Sequence, residues 1–138
     1  MNDLPNEMHP AYFQTRFRFP TRAILPETFA IVSGYATTGE VWTDEENEQA
    51  DVALRRYLER NGYQPIRVDG YDPKSNHCEP SWIIDGPLER ARQIGATFRQ
   101  IAVYWVEHGK LFVTSCKPHS QLYLVANMAD RIDTLLQG

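Results

Sequence analysis

The stretch TFAIVSGYATTGEVWTDEENEQADVALRRYLERNG, residues 28–62, decides the fold because it joins a strand pattern to the strongest helix pattern of the chain. Residues 28–36 are rich in β-forming residues and place apolar side chains at both odd and even positions. A strand with this pattern is covered on both faces, so it belongs in the middle of a sheet. The segment after it is polar at its start and amphipathic over its length, which predicts a helix packed on that sheet.

The predicted helix has a defined start and a defined end. Thr43 and Glu46, three residues apart, form a capping-box pattern, and the acidic first turn suits the positive end of the helix dipole. Asn61-Gly62 supplies the stop. The spacing i, i+3, i+4, i+7, i+8 predicts an inner face made of Ala50, Ala53, Leu54, Tyr57 and Leu58.

The remainder of the chain repeats these signals in shorter form. Residues 63–71 and 81–85 are predicted strands. Pro65 suggests that the first lies at an edge, and Pro80 suggests an edge or a strand entry for the segment that leads into the second. Pro87 at a first helical position predicts a second helix. Residues 101–107 and 110–116 predict a hairpin that turns at His108-Gly109. From Gln121 the apolar residues recur at helical spacing, which predicts a closing helix.

This order of elements predicts an α+β fold. It corresponds to a ferredoxin-like split βαβ sandwich (β-α-β-β-α-β) with an extra strand and a C-terminal helix. We expect a single domain over residues 1–138, with residues 1–10 as a loose N-terminal arm. The aromatic stretch AYFQTRFRF, residues 11–19, fits either a short helix or a strand.

Composition and charge argue against several classes of protein. The formal net charge of −4 gives no electrostatic footprint for nucleic acid or an anionic membrane surface. The chain starts without a secretory signal pattern, and its apolar runs are too short for a membrane span, so we expect a cytoplasmic protein. Six arginines in the two predicted helices are interpreted as solvated: Arg55, Arg56, Arg60, Arg90, Arg92 and Arg99.

The segment HCEPSW, residues 77–82, is the strongest candidate for a functional site. In an extended conformation His77, Glu79 and Ser81 point to one side, whereas Cys78 and Trp82 point to the other. An imidazole beside a carboxylate and a hydroxyl can grip a polar ligand or transfer protons. The alternative is a solvated loop whose Trp82 anchors it to the core.

A metal site is a weaker interpretation of the same segment. His77 and Glu79 match half of the zinc deaminase signature, and Cys116 with His119 could complete a ligand set. The downstream motif lacks its Pro and its second Cys, and Pro80 favours a strand where that family has a helix. We therefore expect no metal and no cofactor.

Polar residues on apolar faces extend the candidate site. Asn47 shares the inner face of the first helix, so its amide either ties down a neighbouring loop or grips a ligand at the helix N-terminus. Gln100 stands between the second helix and an apolar strand, and Tyr35 ends the first strand near the same helix N-terminus. Tyr104 and Trp105 are interpreted as core aromatics.

An ordered set of short motifs resembles a bacterial family of uncharacterised proteins, the domain-of-unknown-function family numbered 3293. The motifs are FAIVSGYATTGE leading into EEN, LERNGY, VDGYDP, HCEPSW and FRQIAVYWVEHGKLFVTSC. The resemblance implies a small cytosolic α/β domain and implies no established activity. The polar signature positions of the family correspond to Glu46, Asn47, His77, Glu79, Ser81, Trp82 and Gln100.

The leading hypothesis is a polar pocket around His77, Glu79 and Asn47 that binds a small polar ligand. The predicted ligand-binding residues are Tyr35, Glu46, Asn47, His77, Glu79, Ser81, Trp82 and Gln100. One alternative is a protein-interaction or homodimerisation module without catalysis. Another is an enzyme, with His77 as base and Glu79 as its partner. Neither a nucleic acid nor a membrane is an expected partner.

Overall fold

The computed structural model describes residues 8–36 and 41–133. Residues 1–7 of the predicted N-terminal arm lie outside this range, whereas Met8 is buried. The aromatic stretch that fitted either a helix or a strand contains both in succession. Pro10–Phe13 forms a 3-10 helix, and a strand begins at Arg16.

The described residues form two α-helices and eight strands. The helices are α1 (Asp44–Arg60) and α2 (Leu88–Thr97). The strands are β1 (Arg16–Arg18), β2 (Phe29–Ser33), β3 (Ile66–Tyr71), β4 (Cys78–Ile84), β5 (Ala102–Glu107), β6 (Lys110–Ser115), β7 (Tyr123–Asn127) and β8 (Ile132–Asp133). The predicted α+β class is thus confirmed.

All eight strands belong to one sheet with the order β7-β6-β5-β2-β4-β3-β1-β8. Neighbouring strands are antiparallel except β1 and β8, which are parallel. The two outermost strands, β7 and β8, are joined by only the four residues of the 3-10 helix Met128–Arg131. Because so short a connection brings the two edges together, the mixed sheet is curled.

The curl gives the sheet two different faces. The helix face carries Ala30 and Val32, which pack with α1 and α2 in one buried cluster. The inner face carries Phe29 and Ile31, which belong to a second buried cluster that contains no residue of α1 or α2. The apolar side chains at both parities of β2 therefore serve two cores, as the sequence predicts.

The start of α1 confirms the capping box. The Glu46 amide donates to Thr43 Oγ1 at 3.0 Å, and the Thr43 amide donates to Glu46 Oε1 at 2.9 Å. Leu54 and Leu58 are completely buried on the inner side of the helix, whereas the predicted Ala53 is exposed. Adjacent positions on a helix are 100° apart, which turns Ala53 away from the sheet while Leu54 faces it.

The prediction of a C-terminal helix is wrong over the described residues. Tyr123–Asn127 forms β7, which pairs antiparallel with β6 through a bulge between Leu111 and Phe112. Apolar residues at helical spacing do not distinguish a helix from a strand in a segment this short. The unpaired edge of β6 decides the outcome, because its backbone groups need a partner strand.

The edge position predicted from Pro65 is also wrong, as is the edge alternative for Pro80. β3 lies between β4 and β1, and β4 lies between β2 and β3. Pro65 precedes β3, while Pro80 pairs with Asp69 inside the β3–β4 ladder. In an antiparallel sheet the backbone groups of successive residues point alternately to the two neighbouring strands, so the Pro80 nitrogen points toward β2. The pairing of β2 with β4 stops at Ser33 and Ser81, and it therefore does not include Pro80. The central position therefore costs no ladder hydrogen bond.

Arg92 contradicts the interpretation of the helix arginines as solvated. Its side chain is buried on α2, whereas Arg55, Arg56, Arg60 and Arg99 are exposed. The Arg92 guanidinium donates to the carbonyl oxygens of residues 115, 117 and 120, at the end of β6 and in the segment that follows it. The buried charge thus ties that segment to the helix face.

Gly34 marks a close approach between the loop after β2 and the backbone of α1. A Cβ atom at this position would lie 2.8 Å from the carbonyl oxygen of Ala50, so one of the two backbones would have to move. We expect Gly34→Ala to lower the free energy of unfolding by about 2 kcal/mol. Urea denaturation measures the loss.

The matched control for this substitution is Gly70→Ala. Its Cβ would meet its nearest neighbour, the Thr15 methyl group, at 3.4 Å, which is an ordinary contact distance. We expect little change in stability in this variant. Equal losses in the two variants would contradict the close approach at Gly34.

Neither of the two α-helices in the described residues is long and apolar enough to cross a membrane.

Candidate functional site

A cavity of about 520 Å³ opens at one end of the inner face. Its walls come from the 3-10 helix Pro10–Phe13, from β1 to β5, from the first turn of α1, and from the loops that follow β2, β3 and α2. This volume falls in the range of small-molecule sites. The cavity is the structural candidate for a binding site.

Six of the eight predicted site residues line this cavity. They are Tyr35, Asn47, His77, Glu79, Ser81 and Gln100. These residues come from three loops, a helix and a strand. Glu46 and Trp82 are not among the lining residues.

The strand geometry of β4 explains this division. Glu79 and Ser81 project from the inner face, whereas Trp82 projects from the helix face and belongs to the core beneath the helices. The Arg67 guanidinium lies 3.7 Å from the centre of the Trp82 ring and forms a salt bridge with Asp51 of α1. Trp82 therefore anchors the strand, and its contacts are with the helix side of the sheet.

Glu46 likewise has a local partner. Its carboxylate accepts the Thr43 amide hydrogen in the capping box, and its side chain is exposed. The structure therefore places the Glu46 carboxylate in a contact that caps the start of α1.

The amides of Asn47 and Gln100 hold the loop after β2. Asn47 Oδ1 accepts a hydrogen bond from the Ala36 amide at 2.8 Å, and Gln100 Nε2 donates to the Tyr35 carbonyl oxygen at 2.7 Å. Of the two roles that the sequence left open for Asn47, these contacts correspond to tying down a neighbouring loop. Both amides thereby fix the position of Tyr35 at the cavity wall.

Glu79 is the acidic group inside the cavity, whereas His77 is exposed at its rim. Burial raises the pKa of the Glu79 carboxyl from 4.5 to about 7, and a hydrogen bond with the Ser33 hydroxyl offsets part of that rise. A carboxyl with this pKa is close to half ionised at neutral pH. It can hold a positive charge or exchange a proton with a bound molecule.

Tyr104 is a wall residue that the sequence analysis assigned to the core. Its hydroxyl donates to the Tyr12 carbonyl oxygen at 2.7 Å and lies 2.9 Å from the Thr15 hydroxyl. Burial raises the Tyr104 pKa above its ordinary value, and the negative charge of nearby Glu79 contributes to the rise. Strand alternation alone could have placed Tyr104 on the inner face beside Ile31, its partner in β2.

No cluster of three His, Cys, Asp or Glu side chains suited to a metal ion occurs in residues 8–36 and 41–133. Cys116, a candidate ligand in the zinc interpretation, is buried in the core of the helix face, where burial raises the pKa of its thiol to about 12. His77 and Glu79 lie in or beside the cavity on the inner face. The sheet therefore stands between the two halves of that ligand set.

Comparison with known families gives one match. The family model described as "Protein of unknown function (DUF3293)" matches residues 34–103, a range that includes all eight predicted site residues. No curated protein and no solved structure matches the chain significantly.

Proposed function

We propose that this chain, which belongs to the DUF3293 family of proteins of unknown function, binds a small polar ligand in the cavity around Glu79. The observation that carries the proposal is the Glu79 carboxyl itself. It occupies a partly closed cavity, and its ionisation is disfavoured there by burial. Burial that disfavours the charged form of a glutamate does not stabilise the fold. The same buried carboxylate is, however, a strong electrostatic partner for a ligand.

The surroundings of Glu79 support the same proposal. Ser33 and Ser81 place hydroxyl groups beside it on the inner face, while Ile31 and Phe17 supply apolar surface. Binding sites for small molecules commonly combine a few polar groups with such apolar walls. The loop that carries Tyr35 is held in place by Asn47 and Gln100, so this wall is formed before a ligand arrives.

A variant that fills the cavity tests this proposal. Ala102 is a half-buried lining residue of β5, so Ala102→Leu should place its added methyl groups in the space for the ligand. We expect a screen of polar metabolites, followed through the amide resonances of Ser33 and Glu79, to give ligands whose affinity falls at least about tenfold in Ala102→Leu.

Ala53→Leu is the control for added bulk, because Ala53 is exposed on α1. It should bind the same metabolites as the wild-type chain. Metabolites that shift the wild-type resonances but bind Ala102→Leu equally well would contradict binding in this cavity. A screen in which no metabolite shifts resonances of the lining residues would do the same.

A second candidate function is acid–base catalysis, and the pKa of about 7 at Glu79 favours it. A general acid or base works best when its pKa lies near the working pH. In this version Glu79 exchanges the proton, and His77 at the rim contacts the ligand instead of acting as the base. Turnover of a ligand found in the screen, with loss of activity in Glu79→Gln, distinguishes catalysis from binding alone.

We extend the proposal to the finer fold and to the location of the protein. The order β5-β2-β4-β3, with α1 and α2 between strands along the chain, supports a ferredoxin-like core to which the other four strands are added. The free thiols of Cys78 and Cys116 support a cytoplasmic location, since thiols stay reduced there.

A further inference from the structure

The cavity lining has a one-sided charge. Its carboxyl groups are those of Asp72 and Glu79, and no Lys or Arg occurs among the lining residues that the structure describes. Hydrogen bonds from the Lys74 amide and the Ser75 hydroxyl lower the pKa of Asp72, which keeps this rim residue ionised. The lining thus presents negative charge to a ligand.

Two guanidinium groups near the cavity are engaged elsewhere. Arg67 pairs with Asp51 on the helix face, away from the cavity. Arg131 donates to the carbonyl oxygens of Phe13 and Thr15, which fixes it behind the cavity wall. Neither group is among the lining residues, so they provide no counter-charge for an anionic ligand.

The Thr43, Glu46 and Ala36 amide groups near the start of α1 also have partners. Thr43 and Glu46 satisfy each other in the capping box, and the Ala36 amide donates to Asn47. Acidic side chains at 44–46 further oppose an anion at this end of the helix. The acidic first turn and the capping box therefore disfavour an anion at the start of α1.

Aromatic rings form much of the remaining wall. Tyr104 meets Phe17 edge to face with ring centres 5.3 Å apart, and meets Tyr12 in the same manner at 6.3 Å. Tyr35 and Trp42 add two more rings to the lining. The faces of aromatic rings attract cations, and combinations of such rings recognise quaternary ammonium groups.

A cation–aromatic contact already occurs beside the cavity. The Arg18 guanidinium lies 4.0 Å from the centre of the Tyr71 ring, and Tyr71 is a lining residue. That ring is occupied by a side chain of the protein. The other aromatic lining residues are Tyr12, Phe17, Tyr35, Trp42 and Tyr104.

We propose that the ligand of this cavity carries an organic ammonium group, which the aromatic rings surround and the Glu79 carboxylate neutralises. This inference rests on the proposed binding function and names its ligand class. A cationic ligand supplies the charge partner that the lining itself does not give to Glu79. A neutral ligand would leave the ionised carboxylate in the cavity without a compensating charge.

Three probes of nearly the same shape test the charge of the ligand. Choline is permanently cationic, 3,3-dimethylbutan-1-ol is its neutral counterpart, and 3,3-dimethylbutanoate is anionic. Each is titrated at pH 8, where the Glu79 carboxylate predominates, while the amide resonances of Ser33, Glu79 and Ala102 are followed by NMR. We expect choline to bind at least about tenfold more tightly than either of the other two probes.

The variant Glu79→Gln removes the charge and keeps the shape of the side chain. It should reduce the advantage of choline over the alcohol to less than about threefold, whereas the exposed Glu59→Gln on α1 should retain it. Equal or tighter binding of the alcohol or the carboxylate would overturn the ammonium inference and leave cavity binding intact. If none of the three shifts the cavity resonances, the ammonium inference fails, and the metabolite screen with Ala102→Leu decides the binding proposal separately.

Discussion

Arg92→Met is expected to lower the free energy of unfolding by about 3–5 kcal/mol. The guanidinium is buried and donates to the carbonyl oxygens of Ser115, Lys117 and Ser120 at 3.1, 3.1 and 2.7 Å. Glu89 lies 3.1 Å from its Nε atom and balances the charge. Methionine fills a similar volume without any donor, so all three carbonyl groups lose the guanidinium while the packing is largely retained. The Lys117 and Ser120 oxygens keep the hydrogen bonds from the Ser120 and Thr114 hydroxyls, respectively.

Urea denaturation monitored by tryptophan fluorescence measures this loss. Arg55→Met on the exposed side of α1 is the control, and we expect it to change stability by less than about 0.5 kcal/mol. A loss below about 1 kcal/mol in Arg92→Met would contradict the role of the guanidinium in fixing the segment after β6. The loss of stability in Arg92→Lys should lie between those of Arg55→Met and Arg92→Met, since a single ammonium group cannot reach all three carbonyl oxygens in the same geometry.

Local signals in the sequence were sufficient to predict the elements whose first and last residues are determined by contacts with nearby residues in the chain. The capping box of Thr43 and Glu46 fixes the start of α1, and the turn at His108-Gly109 joins β5 to β6, with positive φ angles at both residues. These features involve contacts within a few residues of one another. A sequence pattern contains all the information that they need.

Long-range contacts decided the features that the sequence analysis missed. Residues 123–127 became a strand because the edge of β6 was available, and the paired residues of the two strands lie 10 to 17 positions apart in the chain. Arg92 is buried because carbonyl groups at the end of β6 and after it converge on its guanidinium, although its sequence neighbourhood is that of a solvated helix residue. Helical spacing and charge cannot report on a partner that arrives from a distant segment.

The candidate site was predictable where strand alternation applies. That rule separates Glu79 and Ser81 from Cys78 and Trp82, and the structure places the first pair in the cavity lining and Trp82 in the core of the helix face. The rule does not say which other aromatic residues approach the same face. Tyr12 reaches the cavity only because the curl of the sheet brings the N-terminal 3-10 helix over Tyr104.

Glu79→Gln is expected to raise the free energy of unfolding at pH 8 by up to about 3 kcal/mol. The pKa of Glu79 rises from 4.5 to about 7 on folding because the carboxyl is buried. The folded chain therefore holds this proton more tightly than the unfolded chain does. The contribution of this protonated carboxyl to the free energy of unfolding is fully present below pH 4.5. It is lost as the pH rises through 7, where the buried group ionises. Glutamine keeps the shape and avoids that loss.

The pH dependence of stability separates the effect of Glu79 from the effects of the other carboxyl groups. Hydrogen bonds lower the pKa of Asp72 and of Asp133, so their contributions are lost only as the pH falls below about 4. The pKa of Asp69 is also raised by burial, but that contribution is common to the wild-type chain and the variant. The difference between the two chains should thus grow between pH 4.5 and 7 and stay constant above it.

Thermal and urea unfolding from pH 4 to pH 9 measure that difference, with Glu59→Gln as the exposed control. A difference between wild type and Glu79→Gln that does not change with pH would refute the raised pKa. A gain in stability together with loss of the preference for choline would show that the fold keeps Glu79 at a cost because the ligand needs its charge. A gain in stability without any effect on ligand binding would instead mean that the buried carboxyl has no role in binding. That outcome would contradict the proposed site.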